Sequence, residues 1–136
     1  MSDQADRFNK DKPELSFMLD APHAMEGLTK VLMFGANKYA RNNWKKGLPY
    51  KQIMDSMLRH MLAFSNGENK DAESDLAHVD HIICNAMFLS EMFHASPEFD
   101  DRFGMCEANK ELTETFGDKE KLVRKAAPPM LQGESV

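Results

Sequence analysis

The side chains most able to do chemistry lie in one stretch near the middle of the chain. If this stretch is helical, His78, His81 and Asn85 fall within a stripe of about 60°, because each residue advances about 100°. Apolar residues border the stripe on both sides, so it should face a cavity between helices. Imidazoles bind metals and phosphates well. The alternative is a pair of surface histidines, one of which bonds to Asp75.

An acidic cluster precedes this stripe. Its four carboxylates fall within eight residues and are Glu68, Asp71, Glu73 and Asp75. Mg²⁺ usually takes one or two protein carboxylates together with substrate phosphates and water. The cluster therefore predicts a Mg²⁺ site, in which Mn²⁺ could substitute, with Glu68 and Asp71 as the first ligands. The alternative is a solvated acidic loop beside the positive end of the next helix dipole.

Two further candidates, Arg59 and His60, lie late in the preceding apolar segment. If the helices on either side of the acidic cluster are antiparallel, both residues reach the acidic turn. His60 would then be a metal ligand or would orient one, and Arg59 would clamp a phosphate. The alternative is an i,i+4 ion pair between Asp55 and Arg59. A His-Asp phosphohydrolase is disfavoured, because the chain contains no His-Asp dipeptide.

The opposite charge is concentrated between residues 38 and 46, which contain four cations and no acid in a chain of net charge −5. Aromatic and asparagine side chains interleave with them, a composition that suits a nucleotide. The predicted phosphate-binding residues are Lys12, Lys38, Arg41, Lys45 and Arg59. The predicted base- or sugar-binding residues are Tyr39, Asn43, Trp44 and Asn85. A contact with single-stranded nucleic acid fits the same segment, and Trp44 alone is typical of a core anchor.

The composition is that of an ordinary globular domain. Of 136 residues, 42% are hydrophobic and 29% charged. The negative net charge disfavours duplex nucleic acid as a partner. No apolar run reaches the roughly 20 residues of a membrane span, and the polar N-terminus does not resemble a signal peptide. Cys84 and Cys106 form no spaced cluster, so we expect a cytoplasmic protein.

Hydrophobic periodicity predicts an all-α fold, a bundle of about four to five helices. Expected features are an extended arm docked through Leu15, Phe17 and Leu19, and a helix start capped by Asp20. Three main helices are predicted, at 22–36, 50–65 and 74–94. The first should end near Gly35, and the second is apolar around most of its circumference. The organisation predicted is 1–96 as helical core with its arm, 97–127 as a C-terminal helical extension of the same domain, and 128–136 as a flexible tail.

With these residues assembled, the chain resembles a family of dATP/dGTP diphosphohydrolases found mostly in phages, over about residues 7–93. The blocks that carry the resemblance are Arg7-Phe8 with Lys12-Pro13, Phe34 to Tyr39, Asn43 to Gly47, Leu58-Arg59-His60, Gly67 to Ser74, and His78, His81, Asn85-Ala86 and Phe88-Leu89. The family implies conversion of a purine deoxynucleoside triphosphate to the monophosphate and pyrophosphate. It also implies relationship to the all-α nucleotide pyrophosphatases, helical oligomers that hold Mg²⁺ with acidic residues of two adjacent helices.

The chain departs from that wider group, because its two predicted helices lack the paired Glu-x-x-Glu and Glu-x-x-Asp signatures, and histidines occupy much of that space instead. We therefore take Glu68, Asp71, His60, His78 and His81 together as the candidate metal ligands.

The predicted mechanism is in-line attack of a metal-activated water on the α-phosphorus, with Glu68, Asp71 and His81 as the catalytic residues and a homo-oligomer, dimer or tetramer, as the assembly. The rival hypotheses are a non-enzymatic helical module that binds single-stranded nucleic acid or a protein through residues 38–46, and a homologue that binds nucleotide without hydrolysing it.

Overall fold

The computed structural model describes residues 3–102, and over this range the protein is all-α, as predicted. The described range contains three α-helices: α1 (Pro22–Lys38), α2 (Tyr50–Ser65) and α3 (His78–Ala95). Three short 3₁₀ helices accompany them at Leu15–Asp20, Asn43–Lys46 and Pro97–Phe99. No strand occurs in the described range, where Lys70 and Ala77 form an isolated β-bridge. From residue 103 onward, the predicted C-terminal extension and the tail at 128–136 lie outside the described residues.

Helix α3 is the central element, because it packs against both α1 and α2. The Tyr50 hydroxyl, at the start of α2, donates a hydrogen bond to the carbonyl of Met92, near the end of α3. His60, late in α2, contacts His78, the first residue of α3. Helices α2 and α3 are therefore antiparallel, the arrangement on which the predicted site depends. Tyr50, Ile53 and Met92 form the buried core at their far end.

The bounds of α2 and the start of α1 at residue 22 were predicted correctly, while the cap of α1 and its C-terminal end differ from the prediction. Asp20 does not cap α1, because it is the last residue of the preceding 3₁₀ helix and no side chain caps the α1 N-terminus. Pro22 does occupy the first turn. Gly35 does not end α1, because it keeps a helical conformation and its carbonyl accepts a hydrogen bond from the Tyr39 amide.

The third helix begins at His78, four residues later than predicted. Residues 70–77 instead form a tight loop in which the Asp71 amide bonds to the Leu76 carbonyl and the Asp75 amide to the Asp71 carbonyl. Asp75 has a φ of 58°, the left-handed region that aspartate tolerates better than most residues. This loop carries the acidic cluster up to the first turn of α3.

Two predicted burials are wrong for the described residues. The N-terminal arm is a 3₁₀ helix rather than an extended segment, and the side chains of Leu15, Phe17 and Leu19 are 70–75% exposed. Helix α2 is not enclosed on all sides either, because α3 is its main helical neighbour. Its outer face exposes the side chains of Leu58, Met61, Leu62 and Phe64.

Within residues 3–102, no helix combines the length and the apolar character that crossing a membrane requires.

Candidate metal centre and nucleotide site

Three histidines meet where the end of α2 crosses the start of α3. The Nδ1 atoms of His60 and His78 lie 2.9 Å apart, within hydrogen-bond distance. The rings of His60 and His81 stack with centroids 4.3 Å apart and planes 4° from parallel. His78 and His81 are buried and His60 is partly buried. The stripe predicted on α3 therefore faces a neighbouring helix, with His60 against it.

The acidic loop adds two carboxylates to this cluster. Glu68 Oε2 lies 3.2 Å from His78 Nε2, and Asp71 Oδ2 lies 3.8 Å from His81 Nε2. One potential ligand atom from each of His60, Asp71 and His78 lies within 4.8 Å of the other two. Asp71 is partly buried, whereas the Glu68 side chain is about half exposed. The geometry is that of a group able to hold a divalent cation.

Ser74 links the Asp71 carboxylate to the His81 imidazole, a role that the sequence analysis missed. Its hydroxyl lies 2.8 Å from Asp71 Oδ2 and 2.7 Å from His81 Nε2, while its amide donates to the same Asp71 oxygen at 2.9 Å. The hydroxyl has one proton, which it donates to the ionised carboxylate, so His81 must donate from Nε2. His81 is thereby assigned the tautomer with its lone pair on Nδ1. The Asp-x-x-Ser spacing of 71–74 is the available sequence signal.

The pKa shifts favour the protonation states that metal binding requires. Burial lowers the pKa of His60, and the neighbouring His81 lowers it further. Burial likewise lowers the pKa of His81, against the opposing effect of Asp71. Burial alone would raise the pKa of Asp71, but the two hydrogen bonds from Ser74 bring it below its ordinary value. At neutral pH, His60 and His81 are therefore neutral imidazoles and Asp71 is a carboxylate anion.

His78 leaves one buried nitrogen without a hydrogen bond. The residue is 4% exposed, and its Nε2 has no hydrogen-bond partner in the described structure. Glu68 is close enough for an ion pair at 3.2 Å, but the contact lacks the geometry of a hydrogen bond. An unsatisfied buried polar atom costs about 1–3 kcal/mol. His78 Nε2 is thus a buried polar atom without a hydrogen bond in the described structure.

Among the predicted phosphate-binding residues, Lys38 is the one joined to the acidic loop, through an ion pair with Glu73. Hydrogen bonding to Glu73 raises the pKa of Lys38. Lys45 lies with its Nζ 5.7 Å from the centre of the Trp44 ring. The remaining members are exposed and make no ion pair within residues 3–102; they are Lys12, Arg41 and Arg59.

The predicted base- and sugar-binding residues are divided between core and surface. The Trp44 ring stacks on Phe88 at 4.8 Å and packs against the core of α2 and α3. Tyr39 is 66% exposed. Asn85 is buried, and its side-chain amide donates to the backbone carbonyl of His81 at 2.9 Å. Asn43 is partly exposed at the start of the 3₁₀ helix that carries Trp44.

Fold and centre together define an all-α protein with a histidine–carboxylate cluster of metal-binding type. A family profile described as dATP/dGTP diphosphohydrolase, N-terminal, matches residues 2–102. The chain therefore belongs to the dATP/dGTP diphosphohydrolase family. A protein of Salmonella phage PMBT28 named dATP/dGTP diphosphohydrolase is 33% identical over 96 residues, which are 71% of this chain. Those residues are 32% of the phage protein, so the chain spans about a third of its length. No solved structure matches the chain.

Proposed function

We propose that this chain hydrolyses dATP or dGTP to the monophosphate and pyrophosphate, with a divalent metal ion at the histidine–carboxylate centre. The observation that carries the proposal is the convergence of His60, Asp71 and His78. All three lie within the segment that matches the family profile, and the phage relative is named for this activity.

The residues present fit a divalent metal ion. His60, Asp71 and His78 would hold it, with Glu68 and His81 at its margin. The 2.9 Å approach of the Nδ1 atoms of His60 and His78 supports this assignment, because imidazole nitrogens are common metal ligands. When bound, the ion supplies an activated water and neutralises charge on the phosphates.

The proton transfer falls to His81. Its Nε2 proton is donated to Ser74, which leaves the Nδ1 lone pair as the proton acceptor. Because burial lowers its pKa, His81 is neutral at pH 7 and able to accept a proton from the attacking water. Ser74 fixes the carboxylate of Asp71 and the ring of His81 relative to each other. Asp71 and His81, two of the three predicted catalytic residues, thus act as one hydrogen-bonded unit through Ser74.

The triphosphate is held by the cations of residues 38–46. Lys38 pairs with Glu73 on the surface, and such a pair contributes only about 0–1 kcal/mol. A triphosphate can therefore displace Glu73 from Lys38 while remaining next to the acidic loop. Arg41 and Lys45 are exposed and add further positive charge. Since Trp44 already stacks on Phe88, the exposed Tyr39 is the better stacking partner for the base.

The direct test incubates the purified chain with each of the common (d)NTPs and Mg²⁺ or Mn²⁺, and resolves pyrophosphate from single phosphate. We expect equimolar monophosphate and pyrophosphate from dATP or dGTP. Glu68→Ala and Asp71→Asn should abolish turnover with helicity unchanged, whereas Asp75→Asn, an exposed acid of the same loop, should not. Release of single phosphate, or full activity of Asp71→Asn, would refute the proposal.

A second candidate function is binding of single-stranded nucleic acid through residues 38–46. The exposed Arg41, Lys45 and Tyr39 favour it, because cations and an aromatic ring are then all accessible. This function predicts an affinity for oligonucleotides that falls steeply with salt and no metal-dependent turnover.

A further inference from the structure

We propose that the ion held by His60, Asp71 and His78 is a later first-row transition metal such as Zn²⁺ or Co²⁺, and that Mg²⁺ enters only as a complex with the nucleotide. The role of this ion in hydrolysis rests on the proposed function, but its binding does not. The donor set is two imidazoles and one carboxylate. Imidazole suits the later first-row ions, and three protein ligands with an open position are typical of catalytic zinc sites.

The spacing of the imidazole nitrogens agrees with a shared ion. Two nitrogens each about 2.1 Å from a tetrahedral ion lie about 3.4 Å apart. The Nδ1 atoms of His60 and His78 are 2.9 Å apart, so a small widening accommodates the ion. The proton between them moves to the Nε2 of its own ring, so that both Nδ1 lone pairs are directed toward the metal.

The surroundings supply the partners that metal-bound histidines require. With Nδ1 of His78 on the metal, its Nε2 carries the proton and faces Glu68 Oε2 at 3.2 Å. A carboxylate in this position orients a ligating histidine and raises its basicity. A small rotation of the exposed Glu68 side chain would complete the missing hydrogen bond of the buried nitrogen. Ser74 orients Asp71, and the flat stack of His81 fixes the ring plane of His60.

Mg²⁺ fits this donor set poorly. It prefers octahedral oxygen ligands and gives up its water reluctantly. Only one of the three converging residues offers oxygen, and the other two offer imidazole nitrogen. Mg²⁺ would instead arrive on the triphosphate, toward the half-exposed Glu68.

The test titrates the chelator-treated full chain with Zn²⁺, Co²⁺, Mn²⁺ and Mg²⁺ by calorimetry, and follows the visible absorption of bound Co²⁺. We expect one saturable site, with Zn²⁺ or Co²⁺ bound at least about 100-fold more tightly than Mg²⁺. His78→Ala should abolish the site. His60→Asn, at a less buried position, tests it again if His78→Ala does not fold. Glu68→Gln should weaken binding about 10-fold.

The matched control is His94→Ala, which removes an exposed histidine from the other end of α3 and should leave binding unchanged. Equal affinity for Mg²⁺, no saturable transition-metal binding, or full binding by His60→Asn would overturn the inference. The two proposals fail separately. Tight Co²⁺ binding without pyrophosphate release would refute the function alone, and pyrophosphate release with Mg²⁺ but no transition-metal binding would refute the metal assignment alone.

Discussion

Ser74 shows at the scale of one residue how the centre is held together. Its hydroxyl bonds to both Asp71 and His81, and its amide bonds to Asp71 independently. Ser74→Ala removes the hydroxyl but leaves the amide, so the loop should keep its shape. We expect kcat for pyrophosphate release to fall about 10–100-fold, because outer partners of metal-site residues contribute about this much.

The control for this prediction is Ser90→Ala, an exposed serine on α3. Its kcat and melting temperature should equal those of the wild type. A rise in KM without a change in kcat in Ser74→Ala would assign Ser74 to substrate binding instead of positioning.

Residue types and helical spacing predicted which histidines share a face, but not their hydrogen-bond partners. His78 and His81 were found from their stripe, and His60 from the expected antiparallel pairing. Ser74 was missed because its role depends on a loop closed by backbone hydrogen bonds, which no periodicity reveals. Trp44 could not be assigned from composition, because an aromatic residue among cations suits both a nucleotide and the core. Its stacking on Phe88 shows that it packs in the core.

At the scale of elements, two glycines in the connections before and after α2 form a natural comparison. Both have positive φ, 117° at Gly47 and 95° at Gly67. A Cβ at Gly67 would meet nothing within 4 Å, so Gly67→Ala should cost only the backbone strain of about 1–2 kcal/mol. A Cβ at Gly47 would lie 2.0 Å from the Phe99 ring. Overpacking should therefore lower the free energy of unfolding of Gly47→Ala by a further amount of roughly 1–3 kcal/mol.

Urea unfolding of the two variants measures the difference. Equal losses of unfolding free energy would mean that the Phe99 ring gives way without cost, and that Pro97–Phe99 does not hold the loop before α2 in place.

Tyr50, which joins the start of α2 to the end of α3, should make the stability of the fold sensitive to alkaline pH. Burial raises the pKa of Tyr50 from 10.0 to about 12. The folded state thus favours the neutral phenol, and this contribution is complete below pH 10 and is lost as the pH rises toward 12. We expect the melting temperature to fall over this range, with a smaller fall in Tyr50→Phe.

Tyr50→Phe also removes the hydrogen bond to Met92, at about 1 kcal/mol at neutral pH. The melting temperature of Tyr50→Phe should still fall at alkaline pH, because burial raises the pKa of the Cys84 thiol to about 11. Identical alkaline curves for the two proteins would contradict the role assigned to Tyr50.

Helix α2 could be bounded from sequence because its signals are local: Pro49 precedes it, and Asn66-Gly67 follows it with a positive φ at Gly67. The start of α3 could not, because Ser74 resembles an N-cap residue but its hydroxyl is occupied by Asp71 and His81. The capping of α2 by Asp101 could not be predicted either, because Asp101 accepts a hydrogen bond from the Lys51 amide across 50 residues of sequence.

At the scale of the whole molecule, the outer face of α2 is the feature that the isolated chain leaves unexplained. Leu58, Met61 and Leu62 lie at i, i+3 and i+4 and are 49–64% exposed. Apolar side chains spaced in this way form a stripe that is usually covered. We therefore expect a second copy of the chain to cover this stripe.

Light scattering of the purified chain should therefore give a dimer or tetramer at micromolar concentration. Leu62→Lys should shift the mass to the monomer, because a charge in an apolar interface is costly to bury. The matched control is Met33→Lys on α1, which is 60% exposed but lies on another helix and should leave the mass unchanged. A monomeric wild type would contradict the prediction, and dissociation by Met33→Lys alone would move the interface to α1. Because the metal centre is built within one copy, Leu62→Lys should still bind its ion.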